Sequence, residues 1–210
     1  MEDGKLARRG IMGGVIGGAG LLLAGPVWAQ PKADAKPKVA IQTGHGLIVV
    51  QLEAVKAPLT SKNFLRYVDD HRYDGGDIYR ASRDRGGAPG SGTIQGGPNP
   101  ARRRFPPIPH ESTTMTGLRH RPGTISLARD APGTGTGDFF ICASAEPFLD
   151  AHPGGRGDNQ GFAAFGQVID GMGVVHTILA LPTGGASGVV AMKGQILTTP
   201  VPIVSMTRLG

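Results

Sequence analysis

The chain has 210 residues, and its 35 glycines and 17 prolines make up about a quarter of it. This share approaches that of disordered chains, but 39% of the residues are apolar, only 18% are charged and the net charge is +6, which excludes the composition typical of disorder. The sequence has no Gly-X-Y period, which excludes collagen, and its density of turn residues excludes an all-helical bundle in favour of many short strands.

Residues 1–29 have the pattern of an export signal. A basic start ending in Arg8-Arg9 precedes an apolar run from Ile11 to Ala24, and the small-x-small sequence Val27-Trp28-Ala29 follows. We expect cleavage after Ala29 and a periplasmic mature protein. The arginine pair suggests twin-arginine export, but general secretion is an equally good reading of the same residues.

An uncleaved membrane anchor is the alternative for this segment. Seven glycines from Gly10 to Gly25 make a poor spanning helix, and the strictly apolar part is shorter than the ~20 residues that a bilayer requires. We therefore expect no stable membrane insertion after cleavage. Residues 30–37 are predicted to form a short linker, and residues 38–210 one domain.

The domain begins with a predicted hairpin and a predicted helix. Val39–Thr43 and Gly46–Leu52 are runs rich in β-branched residues with a glycine-containing turn between them. Pro58 suits a first helical turn, and the apolar residues that follow lie on one face, which predicts a helix to about His71.

A second helix is predicted from Gly171 to Leu181, where Pro182 ends it. Polar, glycine-rich loops are predicted at Arg83–Ser91 and Asp130–Gly137. The remaining candidate strands are short and separated by turns, and they lie at residues 93–95, 123–128, 139–143, 162–168 and 203–207. Strands at this density with two helices predict a mainly β fold, a closed antiparallel barrel.

Four stretches of the domain stand out, in this order: APLTSKNFLRYVDDHRYDGGDIYR (57–80), IQGG (94–97), GTISLARDAPGTGTGDFFICASAEPFLD (123–150) and GFAAFGQVIDGMGVVHTI (161–178). In sequence, order and spacing they resemble the cyclophilin family of peptidyl-prolyl isomerases. The similarity extends over about residues 38–208. It implies an eight-stranded antiparallel barrel capped by two α-helices, with X-Pro peptides bound in a groove on its outer face.

The chemistry of this family suits the residues present. Amide resonance gives a peptide bond a rotation barrier of ~18–20 kcal/mol, and uncatalysed X-Pro isomerisation takes tens to hundreds of seconds. A catalyst has to stabilise the twisted, pyramidal nitrogen better than the planar amide, which requires no nucleophile, metal or cofactor.

The resemblance implies a catalytic pair. Arg80, in DIYR, matches the family's catalytic arginine, and Gln95, in IQGG, matches the glutamine that orients it and contacts substrate. A surface role is the alternative for Arg80, since Arg83 and Arg85 are close by in the sequence.

Other matched residues would bind the substrate. Phe140 matches the floor of the proline pocket, and Phe148 and Leu149 match its wall, whereas packing in the core is the alternative for all three. Ala128 and Arg129 match an edge strand that pairs with the peptide backbone. The family often has Asn at the position of Arg129.

The chain departs from the family pattern at the pocket. Gly92 and Thr93 stand where apolar residues, one of them Phe, usually line it, and the loop 83–91 lengthens the spacing from Arg80 to Gln95. Asp138 replaces a usual Gln and is expected to form an ion pair with Arg80. Phe162, where other members have His or an aromatic residue, is a mild change.

Basic clusters at Arg80–Arg85, Arg102–Arg104 and Arg119–Arg121 are not interleaved with aromatic residues, so we expect a solvated surface and no nucleic-acid partner. A basic nucleic-acid-binding protein with salt-dependent affinity is an alternative that the export signal opposes. The single cysteine, Cys142, has no internal disulfide partner, and the six histidines have no metal-binding spacing.

The sequence therefore predicts an exported, monomeric peptidyl-prolyl cis-trans isomerase acting on proline-containing unfolded or extended polypeptides, with affinity for cyclosporin-like ligands weakened by the altered pocket. The alternative is a cyclophilin-fold module that binds proline peptides with little or no catalysis. Gly92, Thr93 and Asp138 favour that alternative.

Overall fold

The computed structural model describes residues 36–210, together with Met1. The export signal predicted for residues 1–29, and the linker as far as residue 35, lie outside the described residues. The helices among residues 36–210 are all too short or too polar to cross a membrane.

Eight strands and three α-helices make up the domain. The strands are β1 (Lys38–Thr43), β2 (Gly46–Leu52), β3 (Gly76–Arg83), β4 (Gly92–Gly97), β5 (Thr124–Leu127), β6 (Phe139–Cys142), β7 (Ala163–Asp170) and β8 (Ile196–Leu209). The helices are α1 (Pro58–Asp69), α2 (Thr113–Thr116) and α3 (Met172–Ala180). Short 3-10 turns lie at Pro147–Leu149 and Val190–Met192.

The strands close into one barrel in the order β1-β2-β7-β5-β6-β4-β3-β8, and every neighbouring pair is antiparallel. The predicted eight-stranded antiparallel barrel is confirmed. Both predicted helices are present and end within two residues of their predicted bounds. The four-residue α2 is an addition that the sequence pattern did not indicate.

The core fills the inside of the barrel. In β1 the buried residues alternate with more exposed ones, as expected for a strand with one face inward. Phe64 of α1 is fully buried, and its ring lies 5.2–5.9 Å from the rings of Tyr73, Phe139 and Phe165. The aromatic cluster therefore joins α1 to the barrel, while α3 packs on β2, β3 and β4.

Strand β3 was not among the predicted strands, and a β-bulge explains why. The register of β3 with both of its neighbours shifts between Ile78 and Arg80. A bulge inserts an extra residue and interrupts the alternation on which strand prediction depends. As a result, the adjacent residues Tyr79 and Arg80 both line the same groove on the outer face.

Strand β8 is much longer than the predicted 203–207. Its pairing with β3 shifts from Ile78–Val201 to Arg80–Ile196, so the segment containing Pro200 bulges out of the regular ladder. Because proline in a strand is tolerated at such an irregularity, Pro200 does not end the strand.

Gly92 begins β4 under a constraint that only glycine satisfies. Its φ is +134°, and a Cβ there would overlap the backbone of Ser82 and Arg83 on β3. The aromatic or other apolar side chain that the resemblance implied near this point therefore cannot be restored at Gly92 without moving the strand.

Replacing Gly92 by alanine is expected to lower the free energy of unfolding by about 3 kcal/mol, because the cost of the strained backbone and the cost of the steric overlap add up. Gly133 is a matched control: its φ is +79°, but nothing lies within 4 Å of its would-be Cβ. We expect the Gly133→Ala loss to be about 1 kcal/mol, from the backbone conformation alone. Equal losses in urea unfolding would contradict the steric argument.

Candidate active site

The sheet register places the predicted catalytic and pocket residues in one row across neighbouring strands. Arg80 of β3 pairs with Gln95 of β4, Gln95 pairs with Phe140 of β6, and Phe140 pairs with Ser126 of β5. Directly opposite residues in antiparallel strands have Cβ atoms about 4.5–5.5 Å apart. Residues as far apart in the sequence as Gln95 and Phe140 are thus side by side on the barrel.

Three residues of this row, Arg80, Gln95 and Phe140, line a groove of about 340 Å³. The groove is lined by Tyr79, Arg80, Ser82, Asp84, Thr93, Gln95, Ala128, Arg129, Asp130, Thr134, Thr136, Asp138, Phe140, Phe148, Leu149, Phe162 and Met192. All nine residues assigned to catalysis or substrate binding from the sequence are in this set. The predicted loops 83–91 and 130–137 both contribute to its rim.

Arg80 is held from two sides. Its Nη1 donates to Gln95 Oε1 at 2.7 Å, and its Nε and Nη2 donate to Gln195 Oε1 at 2.8 and 2.5 Å. Burial lowers the pKa of the Arg80 guanidinium, and Tyr79 opposes this effect; an arginine nevertheless stays charged in a protein. These contacts exclude the alternative of a freely solvated surface arginine.

Gln195 is a site residue that the sequence analysis missed. It lies just before β8 and 115 positions from Arg80 in the sequence. No motif marks it, and only the path of the chain after α3 brings it to the guanidinium.

Replacing Gln195 by leucine is expected to lower kcat/KM for an X-Pro peptide about tenfold, because the charged guanidinium loses the acceptor that fixes one of its edges. Gln167→Leu is the control, since Gln167 is exposed on β7 and donates to Pro122 O, away from the groove. A Gln195→Leu variant with the kcat/KM of the wild type would exclude this role.

Aromatic rings form the apolar part of the groove. The ring of Phe140 lies edge-on to Phe162 at 5.3 Å and is stacked on His120 at 5.8 Å. Phe148 is 67% exposed, so packing in the core is excluded for it. A proline ring is of a size and polarity that suit such a pocket.

A buried polar network supports the floor of this pocket. His120 Nδ1 lies 2.8 Å from Asp150 Oδ1, and His120 Nε2 lies 3.0 Å from Ser126 Oγ. Burial lowers the pKa of His120, although Asp150 acts in the opposite direction. The neutral ring donates from Nδ1 and accepts from Ser126.

The same three residue types form the nucleophilic triad of many hydrolases. Here, however, Ser126 is completely buried and does not line the groove. Its hydroxyl is therefore out of reach of a substrate, and the network instead fixes the ring on which Phe140 is stacked.

Comparisons with known proteins agree with this geometry. The profile of the cyclophilin-type peptidyl-prolyl cis-trans isomerases matches residues 38–207. The chain belongs to this family. Peptidyl-prolyl cis-trans isomerases of Streptomyces antibioticus and Acinetobacter baylyi are 33% and 31% identical to it, over 82% and 88% of this chain and 98% and 92% of theirs. Peptidyl-prolyl cis-trans isomerase B of Escherichia coli is 34% identical over 70% of this chain and 86% of its own.

A solved structure shows the same fold. The crystal structure of a Cryptosporidium parvum cyclophilin-type isomerase superimposes with a TM-score of 0.62 at 21% identity, covering 83% of this chain and 98% of that one. A second crystal structure of that protein, with a TM-score of 0.62, was determined in the presence of the dipeptide Ala-Pro.

The expected ion pair between Asp138 and Arg80 is wrong. Asp138 instead forms its ion pair with Arg104, and its Oδ1 accepts from Tyr79 Oη at 3.2 Å. The acceptors of the Arg80 guanidinium are instead the two amide oxygens of Gln95 and Gln195.

The prediction of an edge strand at Ala128 and Arg129 also needs correction. Strand β5 ends at Leu127, and the barrel is closed. Both residues line the cyclophilin groove just beyond the strand, where Ala128 N donates to Asp138 O at 2.8 Å. The side chain of Arg129 is only 4% exposed, because it pairs with Asp158 and lies over Phe162.

The groove of this cyclophilin has a wall that the sequence did not indicate. Thr93 lines the groove where the resemblance implied an apolar residue, and Met192 lines it as well. Met192 comes from the 3-10 turn Val190–Met192, a segment that no motif marked. A segment distant in the sequence thus contributes apolar surface to the groove.

Proposed function

We propose that this cyclophilin accelerates rotation about X-Pro bonds in extended polypeptides, with Arg80 as the group that stabilises the transition state. The position of the Arg80 guanidinium, held by Gln95 and Gln195 in the same row of residues as the Phe140 pocket, is the observation that carries the proposal. The pocket would hold the proline ring while the preceding residue turns.

The chemistry follows from the nature of the amide. In the planar amide the nitrogen lone pair is delocalised and accepts hydrogen bonds poorly, whereas in the twisted state it is localised and accepts well. A guanidinium N–H directed at this nitrogen therefore stabilises the transition state more than the ground state, which is the requirement for catalysis.

Arg80 retains donors for this role. A guanidinium has five N–H groups, and the contacts with Gln95 and Gln195 use the Nε–H and one N–H on each terminal nitrogen. Among residues 36–210, the structure gives no partner to the second N–H on each terminal nitrogen, so two donors remain for a bound substrate.

Exchange spectroscopy by NMR on a short X-Pro peptide tests this proposal. At a catalytic amount of protein, we expect exchange cross-peaks between the cis and trans signals that are absent from the peptide alone. Shifted peptide signals without exchange would instead support the second candidate, a proline-peptide binding module. The polar Thr93 in the pocket wall is the observation that favours that candidate.

We further propose that the protein is exported to the periplasm, where it assists the folding of exported proteins. The support is the sequence of residues 1–29, with its basic start, apolar run and Val27-Trp28-Ala29 ending. Mass spectrometry of the periplasmic protein is expected to give an N-terminus at Gln30. Arg8→Lys with Arg9→Lys would block export by the twin-arginine route and leave general secretion unaffected.

We also propose a monomer and a weak affinity for cyclosporin-like ligands. A closed barrel presents no free strand edge for pairing with a second copy. Thr93 and Gly92 replace apolar contacts that such a ligand would use. Sedimentation analysis tests whether the protein is a monomer. A titration in which a cyclosporin-like ligand competes with an X-Pro peptide tests the weak affinity.

A further inference from the structure

The bulge in β3 brings an unusual neighbour to the catalytic arginine. In a regular strand, Tyr79 and Arg80 would point to opposite faces. The register shift between Ile78 and Arg80 lets both line the groove instead. Tyr79 is therefore placed where its hydroxyl reaches the same glutamine that holds Arg80.

A chain of hydrogen bonds runs from this hydroxyl in both directions. Gln95 Nε2 donates to Tyr79 Oη at 2.7 Å, and Tyr79 Oη donates to Asp138 Oδ1 at 3.2 Å. At the other end, Gln95 Oε1 accepts from Arg80 Nη1 at 2.7 Å. Asp138 is itself held by Arg104.

The groups at the two ends of this series of hydrogen bonds determine which atom donates and which accepts in each bond. An ionised carboxylate can only accept, so Tyr79 has to donate to Asp138 and can only accept from Gln95. The Gln95 amide must then present its NH₂ group to Tyr79 and its oxygen to Arg80. The guanidinium, which can only donate, receives the acceptor that it needs.

The phenol keeps its proton under ordinary conditions. Burial raises the pKa of Tyr79 well above its usual value, and the nearby Asp138 raises it further. The hydroxyl consequently keeps its proton at neutral pH and can donate it to Asp138.

We propose that Tyr79 and Asp138 are positioning residues for the isomerase reaction: together they set the orientation of the Gln95 amide and, through it, the position of Arg80. This inference rests on the proposed catalytic role of Arg80. Without Tyr79, the amide can turn over and direct its NH₂ group at the guanidinium, where two donors face each other. Neither residue needs to touch the reacting atoms.

Tyr79→Phe is the first test. It removes one oxygen from the chain and leaves the ring in place. We expect kcat to fall about fivefold to tenfold, the effect of one net hydrogen bond, and KM for the peptide to change less than twofold. Tyr73→Phe is the matched control, because its hydroxyl donates to Gly137 O in the core and does not line the groove; its kcat should equal that of the wild type.

Asp138→Leu provides the second test, in a double-mutant cycle with Tyr79→Phe. If the two residues act through one chain of bonds, the double variant loses no more activity than the more impaired single variant. Losses in kcat that multiply would overturn the proposal, and so would a Tyr79→Phe variant with the kcat of the wild type.

An NMR measurement separates positioning from a loss of stability. The side-chain amide protons of Gln95 should give two well-separated signals in the wild type and in Tyr73→Phe, and a shifted or averaged pair in Tyr79→Phe. Unchanged Gln95 signals in Tyr79→Phe would contradict the proposal. If Arg80→Ala is inactive while Tyr79→Phe is fully active, only this inference fails; if Arg80→Ala is fully active, the proposed function of Arg80 fails as well.

Discussion

Replacement of Arg80 by alanine is expected to lower kcat/KM for an X-Pro peptide about 10²–10³-fold, the usual cost of removing a donor directed at charge that develops in a transition state. The loss should be mainly in kcat, because the planar amide of the bound substrate accepts poorly from the guanidinium. Proline-limited refolding of a client protein and NMR exchange on a peptide both measure the effect.

Arg85→Ala is the control for charge. Arg85 is exposed in the loop between β3 and β4 and does not line the groove. Arg85→Ala lowers the net charge by the same amount as Arg80→Ala. It is nevertheless expected to leave kcat/KM within about twofold of the wild type, as for most surface substitutions. Equal acceleration of refolding by the wild type and Arg80→Ala would refute the catalytic assignment.

The second large effect is expected from two adjacent phenylalanines. Phe139 and Phe140 are neighbours on β6, where successive side chains point to opposite faces. Phe139 contacts Phe64 and Tyr73 inside the barrel, whereas Phe140 contacts His120 and Phe162 at the groove. The same substitution at the two positions therefore separates stability from substrate binding.

Phe139→Ala is expected to lower the free energy of unfolding by about 3–5 kcal/mol, because it leaves a cavity in the closed core. The folded fraction should bind peptide with an almost unchanged KM. Phe140→Ala is expected to be less destabilising, since its cavity opens to the groove, and to raise KM about tenfold by removing the apolar floor under the proline ring. Urea unfolding and peptide kinetics on both variants provide the comparison.

A reversed result would be informative. If Phe139→Ala raised KM as much as Phe140→Ala did, the inward and outward assignment of the two rings would be wrong. If neither changed KM, the proline pocket would have to be sought outside the row formed by Arg80, Gln95 and Phe140.

Glycines that look alike in the sequence have different roles in the structure. Gly92 and Gly133 both have positive φ, but only Gly92 is pressed against a neighbouring backbone. The sequence pattern could not separate these two situations, because close approach of two strands depends on their pairing. Gly92 also explains why one pocket wall differs from what the resemblance implied.

Local pattern and the order of the motifs were enough to predict the barrel, the two long helices and nine of the residues that line the groove. Proline at the first turn of α1, apolar periodicity and turn residues act over a few positions, so they can be read along the chain. Arg80, Gln95 and Phe140 were identified because each lies within a recognisable motif.

The partners of these residues were decided only by the tertiary structure. Gln195 reaches Arg80 through the path of the chain after α3, and Tyr79 reaches Gln95 through a bulge that breaks the strand period. Asp138 was expected to pair with Arg80 but pairs with Arg104. Hydrogen bonds and ion pairs depend on distances of a few ångströms between strands, and these distances follow from register and closure of the barrel, not from spacing along the sequence.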